Sequence, residues 1–145
     1  MLGEKEDGTE DPAAKDEVDG LVEWMRAMDD KVPIMASVCT GAAVLAKCGF
    51  LDGLPATTNH SAFSWIEAHY GPRVLWDYVA RWVDAGKYVS SAGVSAGTDL
   101  GFYLVSRLAG RAVAEIAAKA AEYDWHRDPN QPIRYPEQPS IETTF

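Results

Sequence analysis

Positive charge is scarce in this chain: 13 Lys and Arg stand against 22 Asp and Glu, for a net charge of −9. Without a basic surplus to neutralise phosphates, the charge argues against nucleic acid as a partner, and none is expected. Cysteine is also scarce. Cys39 and Cys48 lie nine residues apart, about 13 Å if both sit on one helix, which is too far to bridge. The chain therefore has no disulfide framework, and a reduced, cytoplasmic protein is expected. No apolar run approaches the roughly 20 residues of a membrane span. No charged-then-apolar leader opens the sequence, so no membrane partner is expected. Gly-rich dinucleotide and phosphate loops are absent, as are His/Cys clusters at metal spacing. The three histidines (His60, His69, His126) are scattered. Neither a metal nor a cofactor is expected. There are no internal repeats, and one Trp76-Asp77 pair without periodicity is no propeller signature.

The 145 residues, 47% hydrophobic and 24% charged, fit one globular domain over 1–145. Much of the negative charge is local: Met1 to Asp19 holds eight acids against Lys5 and Lys15, and such a segment reads as solvated. Residues 1–15 form an acidic, flexible start, 16–123 the core, and 124–145 a Pro-rich tail with Pro129, Pro132, Pro136 and Pro139 that runs extended. Leu21, Val22, Met25 and Met28 recur at helical spacing, predicting a helix over Asp16–Met28 capped by Asp16 or Asp19. Ala56–Thr58 and Val74–Trp76 read as short strands. Asn59 or Ser61 caps a helix over Ala62–Tyr70, which Gly71-Pro72 ends. Ala80–Asp84 and Lys87–Ser91, joined by Ala85-Gly86, carry a hairpin signal. Asp99–Ala109 and Arg111–Tyr123 read as helices. The second presents Val113, Ile116, Ala117 and Ala120 on one face. The small residues from Ser90 to Gly97 precede the first of them and permit close backbone approach.

The most informative stretch is Val32 to Ala46. Val32-Pro33-Ile34-Met35-Ala36 is an apolar run that predicts a strand buried on both faces. The Ala- and Val-rich residues after Gly41 predict a short helix stopped by Gly49. Ser37-Val38-Cys39-Thr40-Gly41 leaves almost no room between them, so the chain must turn in a tight elbow with Cys39 projecting from it. The free N–H groups of a first helical turn and the positive end of its dipole favour a thiolate. Cys39 reads either as a small buried apolar residue or as a nucleophile, and the small residues around it favour the nucleophile.

Three segments together carry a resemblance: Ala36–Ala42, Gly49–Thr58 and Ser91–Asp99. Their order and spacing resemble the DJ-1/PfpI family of the class I glutamine amidotransferase-like superfamily. The likeness is strongest to the branch holding isonitrile hydratases and the amidase-like domains of AraC-type regulators, and it runs from about Val22 to Tyr123. The resemblance implies an α/β, flavodoxin-like three-layer sandwich with a mostly parallel sheet, the cysteine on a nucleophile elbow, and homodimeric assembly. It also implies further strand–helix–strand units ahead of the first helix, with an acidic residue facing the cysteine. Nothing from Met1 to Asp19 matches these, so that role passes to neither Glu4 nor Glu10. The chain is then a fragment, a rearranged domain, or one whose sheet another chain completes. A Trp follows the threonine pair closely in many relatives, whereas Asn59-His60 follow it here.

Three functions follow. The first is an enzyme of hydro-lyase type: Cys39 attacks a small electrophilic substrate, and the resemblance names isonitrile hydration as the reaction. The N–H groups of Thr40 and Gly41 then hold developing charge, and the Thr40 hydroxyl bonds the sulfur or guides a water. His60 and Asp99 are supporting candidates for the missing proton donor. A surface or helix-start histidine and a helix-capping aspartate are the readings set against them. The second is a ligand- or redox-sensing module with an oxidisable Cys39. No DNA-binding segment follows Tyr123, which excludes a complete AraC-type regulator for this chain. The third is an inactive truncated domain.

Overall fold

The computed structural model describes residues 12–70 and 73–134. The acidic stretch through Asp11, the Gly71-Pro72 stop, and Pro136 and Pro139 lie outside the described residues. The element order is α1 (Pro12–Asp29), β1 (Met35–Val38), α2 (Ala42–Lys47), β2 (Pro55–Ala56), α3 (Phe63–Tyr70), β3 (Leu75–Trp76), β4 (Trp82–Ala85), β5 (Tyr88–Ser91), α4 (Val94–Ala109) and α5 (Arg111–Ala120). Single turns of 3-10 helix at Cys39–Gly41 and His60–Ala62 lead into α2 and α3.

Among the described residues the strands form a small mixed α/β arrangement. One sheet has the order β1-β5-β4, with β1 parallel to β5 and β4 antiparallel to it. β2 and β3 make a separate parallel pair. The Thr57 N–H, which donates to the Ser90 hydroxyl at 2.9 Å, ties that pair to the sheet. The predicted hairpin is present as β4 and β5. Ala85 pairs with Tyr88 across a two-residue turn that opens on Gly86 at φ +89°, the conformation such a turn demands of its first residue.

Alternation along the strands sorts the core into layers. Met35 packs with Leu45, Ala46, Leu51, Ala56 and Val74 on one face, where Met25 of α1 joins them. Trp82 and Val89 meet Leu100 of α4 on the other. Beyond α4, Ala114 and Ala118 of α5 and Trp125 form an outer cluster. The end of α1 is pinned to the start of β5 by Asp29, which pairs with Lys87 at 2.8 Å and accepts from the Tyr88 hydroxyl at 2.8 Å. The Lys87 ammonium holds the Asp29 carboxyl below its usual range, while burial and Asp29 push the Tyr88 phenol up to about 12.

Several expectations are corrected. β1 is not buried on both faces: Met35 and Ser37 are buried, whereas Ala36 and Val38 are exposed. α4 crosses the sheet over Trp82 and Val89, and it meets β1 at Gly97, where a Cβ would stand 2.5 Å from Val38 Cγ1. α1 begins at Pro12, so Asp16 and Asp19 lie within it rather than cap it. Proline suits a first helical turn because it has no N–H to leave unpaired. α4 starts at Val94, five residues ahead of Asp99, so Asp99 does not cap it. α5 buries Ala114 and Ala118, and leaves Val113 and Ile116 exposed, because the small alanines permit the closer approach to α4.

Candidate active site

The geometry around Cys39 follows from the abruptness of its turn. β1 ends at Val38, which is still extended (φ −121°, ψ 138°), and the 3-10 turn begins at the next residue. The reversal falls on Cys39, whose φ of +59° lies in the left-handed region. A residue with a Cβ resists that region by about 1–2 kcal/mol, and such strain persists only where the surroundings hold it. Two hydrogen bonds do so. The Cys39 N–H donates to the Ala92 carbonyl at 3.0 Å, and the Cys39 carbonyl accepts from the Thr58 hydroxyl at 2.9 Å. Thr58 is fully buried, as is Ala92, so both brackets are rigid. Cys39 itself is only partly buried.

The remaining predicted site residues are placed as follows. Thr40 is exposed and Gly41 half-buried in the same turn. Both belong to the 3-10 turn that leads into α2. The Thr40 N–H lies at its start, where a backbone donor lacks a partner within the helix, whereas the i→i+3 pattern of such a turn sets the Gly41 N–H against the Val38 carbonyl. His60 is half-buried two residues beyond Thr58, on the loop that brackets the elbow. Asp99 is fully buried and committed elsewhere. Its Oδ2 accepts from Arg81 Nε at 2.9 Å and Nη2 at 2.5 Å, and its Oδ1 accepts from the His126 N–H at 3.0 Å. It braces the fold behind the elbow: the Arg81 carbonyl accepts from the Ala92 N–H at 2.8 Å, and Ala92 in turn holds Cys39. Among the described residues no group of three or more His, Cys, Asp or Glu is spaced to hold a metal. No described helix is long and apolar enough to cross a membrane.

Sequence reasoning passed over Arg81 and Thr58. A single arginine in front of a strand carries no local signal of burial. The threonine pair read as part of a strand over Ala56–Thr58, whereas β2 ends at Ala56, and nothing local marks Thr58 as a clamp on a cysteine 19 residues earlier. Asn59 was expected as a cap and is one: its Oδ1 accepts from the N–H groups of Ser61 at 3.0 Å and Ala62 at 3.1 Å.

The two cysteines differ sharply. Cys48 is buried with its Sγ 3.9 Å from the Val22 carbonyl, and burial pushes its thiol above the ordinary value. A raised folded-state value means that the native protein keeps this proton to higher pH than the unfolded chain does. Cys48 therefore favours folding below the ordinary thiol range, and that contribution is lost as pH climbs through the raised value. At pH 8 iodoacetamide is expected to label Cys39 at least about 100-fold faster than Cys48, with the gap closing in denaturant. Peptide mapping over time checks this, and equal native rates would contradict the buried placement of Cys48.

No family model matches the chain. It is 32% identical over 94 residues to the HTH-type transcriptional regulator CdhR of Pseudomonas aeruginosa, covering 65% of this chain and 27% of that protein. It is 30% identical over 102 residues to an isonitrile hydratase of Pseudomonas putida, covering 70% of this chain and 43% of the hydratase. The fold matches a THiJ/PfpI family protein from Pseudomonas syringae with a TM-score of 0.64 at 30% identity, over 72% of this chain and 42% of that one. The chain thus spans less than half the length of the curated relatives it matches.

Proposed function

We propose that this chain, a member of the DJ-1/PfpI family, uses Cys39 as a thiolate nucleophile to add water to a small electrophile of isonitrile type, giving an N-substituted formamide. The observation that carries this reading is the left-handed Cys39 between its two brackets. The fold accepts a strained cysteine there and builds rigid contacts to keep it, in a place where the thiol is only partly covered and next to the N–H groups of Thr40 and Gly41. In the proposed reaction sulfur bonds to the terminal carbon of the isonitrile, and solvent supplies a proton to that carbon. Water then adds to the resulting S-bound C=N group, oxygen bonding to carbon while nitrogen takes up a proton. The hydroxyl proton is then lost to solvent as the C=O forms and the C–S bond breaks, its electron pair returning to sulfur as the thiolate. N–H groups placed where charge develops lower the barrier to such steps. Asp99 takes no part as an acid in this scheme, because Arg81 and the His126 N–H occupy its carboxylate. Homodimeric assembly and a cytoplasmic location belong to the same reading.

The test is direct. Purified protein incubated with methyl isocyanide is expected to release N-methylformamide catalytically, as followed by proton NMR. A second reading, a sensing module without turnover, is favoured by the 32% identity to a transcriptional regulator. It predicts saturable binding or a single modification of Cys39 with no formamide beyond one equivalent.

A further inference from the structure

We propose that the side-chain amide of Asn59 is a fixed hydrogen-bond donor of the Cys39 site, which binds the acceptor nitrogen that forms when sulfur adds to an isonitrile carbon, or a carbonyl oxygen in the same place. The proposal rests on the reading of Cys39 as the reacting group.

The argument starts from the two brackets. Ala92 holds the Cys39 N–H and Thr58 holds its carbonyl. The residues that follow these two along the chain are Gly93 and Asn59, and they converge. Asn59 Nδ2 stands 3.5 Å from the position a Cβ on Gly93 would take. The amide therefore lies against Gly93, the residue after the one whose carbonyl holds the Cys39 N–H. Gly93 has φ −56°, open to any residue, so its lack of a side chain serves space rather than backbone shape.

The amide is also fixed in direction. Oδ1 accepts three hydrogen bonds, from the N–H groups of Ser61 and Ala62 and from the Ser61 hydroxyl at 2.5 Å. Two of these donors are backbone N–H groups and cannot reverse. Turning the amide over would set its NH2 against both, so the oxygen stays on the cap and Nδ2 stays on the Gly93 side. Aspartate or serine would cap this turn as well as asparagine does. What asparagine adds is a neutral N–H donor held on the Gly93 side of the turn. An uncharged donor pre-set in place suits an uncharged polar substrate, since it costs no reorganisation when the substrate's acceptor gains charge.

Two alkylating reagents isolate this donor from the reactivity of the thiol. In both, the Cys39 sulfur forms an S–C bond while the C–I bond breaks and iodide leaves with the electron pair. Iodoacetamide carries a carbonyl acceptor, and methyl iodide carries none. In Asn59→Ser, the Cys39 rate with iodoacetamide is expected to fall about three- to tenfold, while the methyl iodide rate stays within about twofold of wild type. Asn59→Asp keeps the cap and lacks the donor, so the ratio of the two rates should fall in it as well, whatever its added charge does to each rate. A wild-type Cys39 inert to both reagents would overturn the reading of Cys39 and the donor with it. A reactive wild type whose rate ratio is unchanged in both variants would overturn the donor alone.

Discussion

Substituting Cys39 with alanine is expected to lower N-methylformamide production from methyl isocyanide by at least about 10⁴-fold, the scale on which enzymes lose rate when a nucleophile is removed. The loss should not come from unfolding. Alanine keeps the Cβ and the same left-handed backbone, and Cys39 makes its two bracketing bonds through the backbone and not through sulfur. Glycine at the same position separates chemistry from strain. A residue with a Cβ pays for φ +59°, and glycine does not. Cys39→Gly is therefore expected to be as inactive as Cys39→Ala yet more stable than it by about 0.5–1 kcal/mol, read from urea midpoints. An alanine variant that retained the wild-type rate would end the nucleophile reading. An alanine variant more stable than the glycine one would mean that the elbow is not formed in solution.

The elbow was legible because its signal is local. Small residues from Ser37 to Gly41, an apolar run before them and alanines after them leave one way for the chain to turn. The hairpin at Gly86 and the Asn59 cap were legible for the same reason, since each is decided within four or five residues. What the sequence hid depends on distant partners. Val94 to Thr98 reads as a loop of small residues with poor helix propensity, but it is the first turn of α4. Gly97 sits there because Val38 of β1 comes within a Cβ's reach, and a contact across 59 positions leaves no local mark. The helical period of α5 was visible, but its buried face was not. Ala114 and Ala118 win over Val113 and Ile116 because the outer cluster of Trp125, Phe102 and Tyr123 closes over the smaller side chains.

Asp99 shows the same limit most sharply, and it carries the largest expected effect on stability. Its carboxylate is fully buried beside Arg81, which is 4% exposed, and it accepts two guanidinium bonds and the His126 N–H. Asp99→Ala would leave a guanidinium charge in the interior without its counter-charge. Breaking a buried pair from one side in this way costs about 3–5 kcal/mol, a large share of the 5–15 kcal/mol that holds a typical domain together. Urea unfolding followed by circular dichroism should show the loss. Removing both partners, as Arg81→Met with Asp99→Leu, should recover most of it, because apolar side chains of similar volume bear no desolvation penalty. The recovery should be partial. The His126 N–H loses its acceptor in either variant, and with it goes one tie on the segment that runs from buried Trp125 to Pro129, whose carbonyl accepts from the Arg81 N–H at 2.7 Å. Trypsin should therefore cut after Arg127 sooner in both variants than in wild type. If Asp99→Ala unfolded at the wild-type urea concentration, Asp99 and Arg81 would not form a buried pair in solution, and the brace from Arg81 through Ala92 to the Cys39 N–H would lose its anchor.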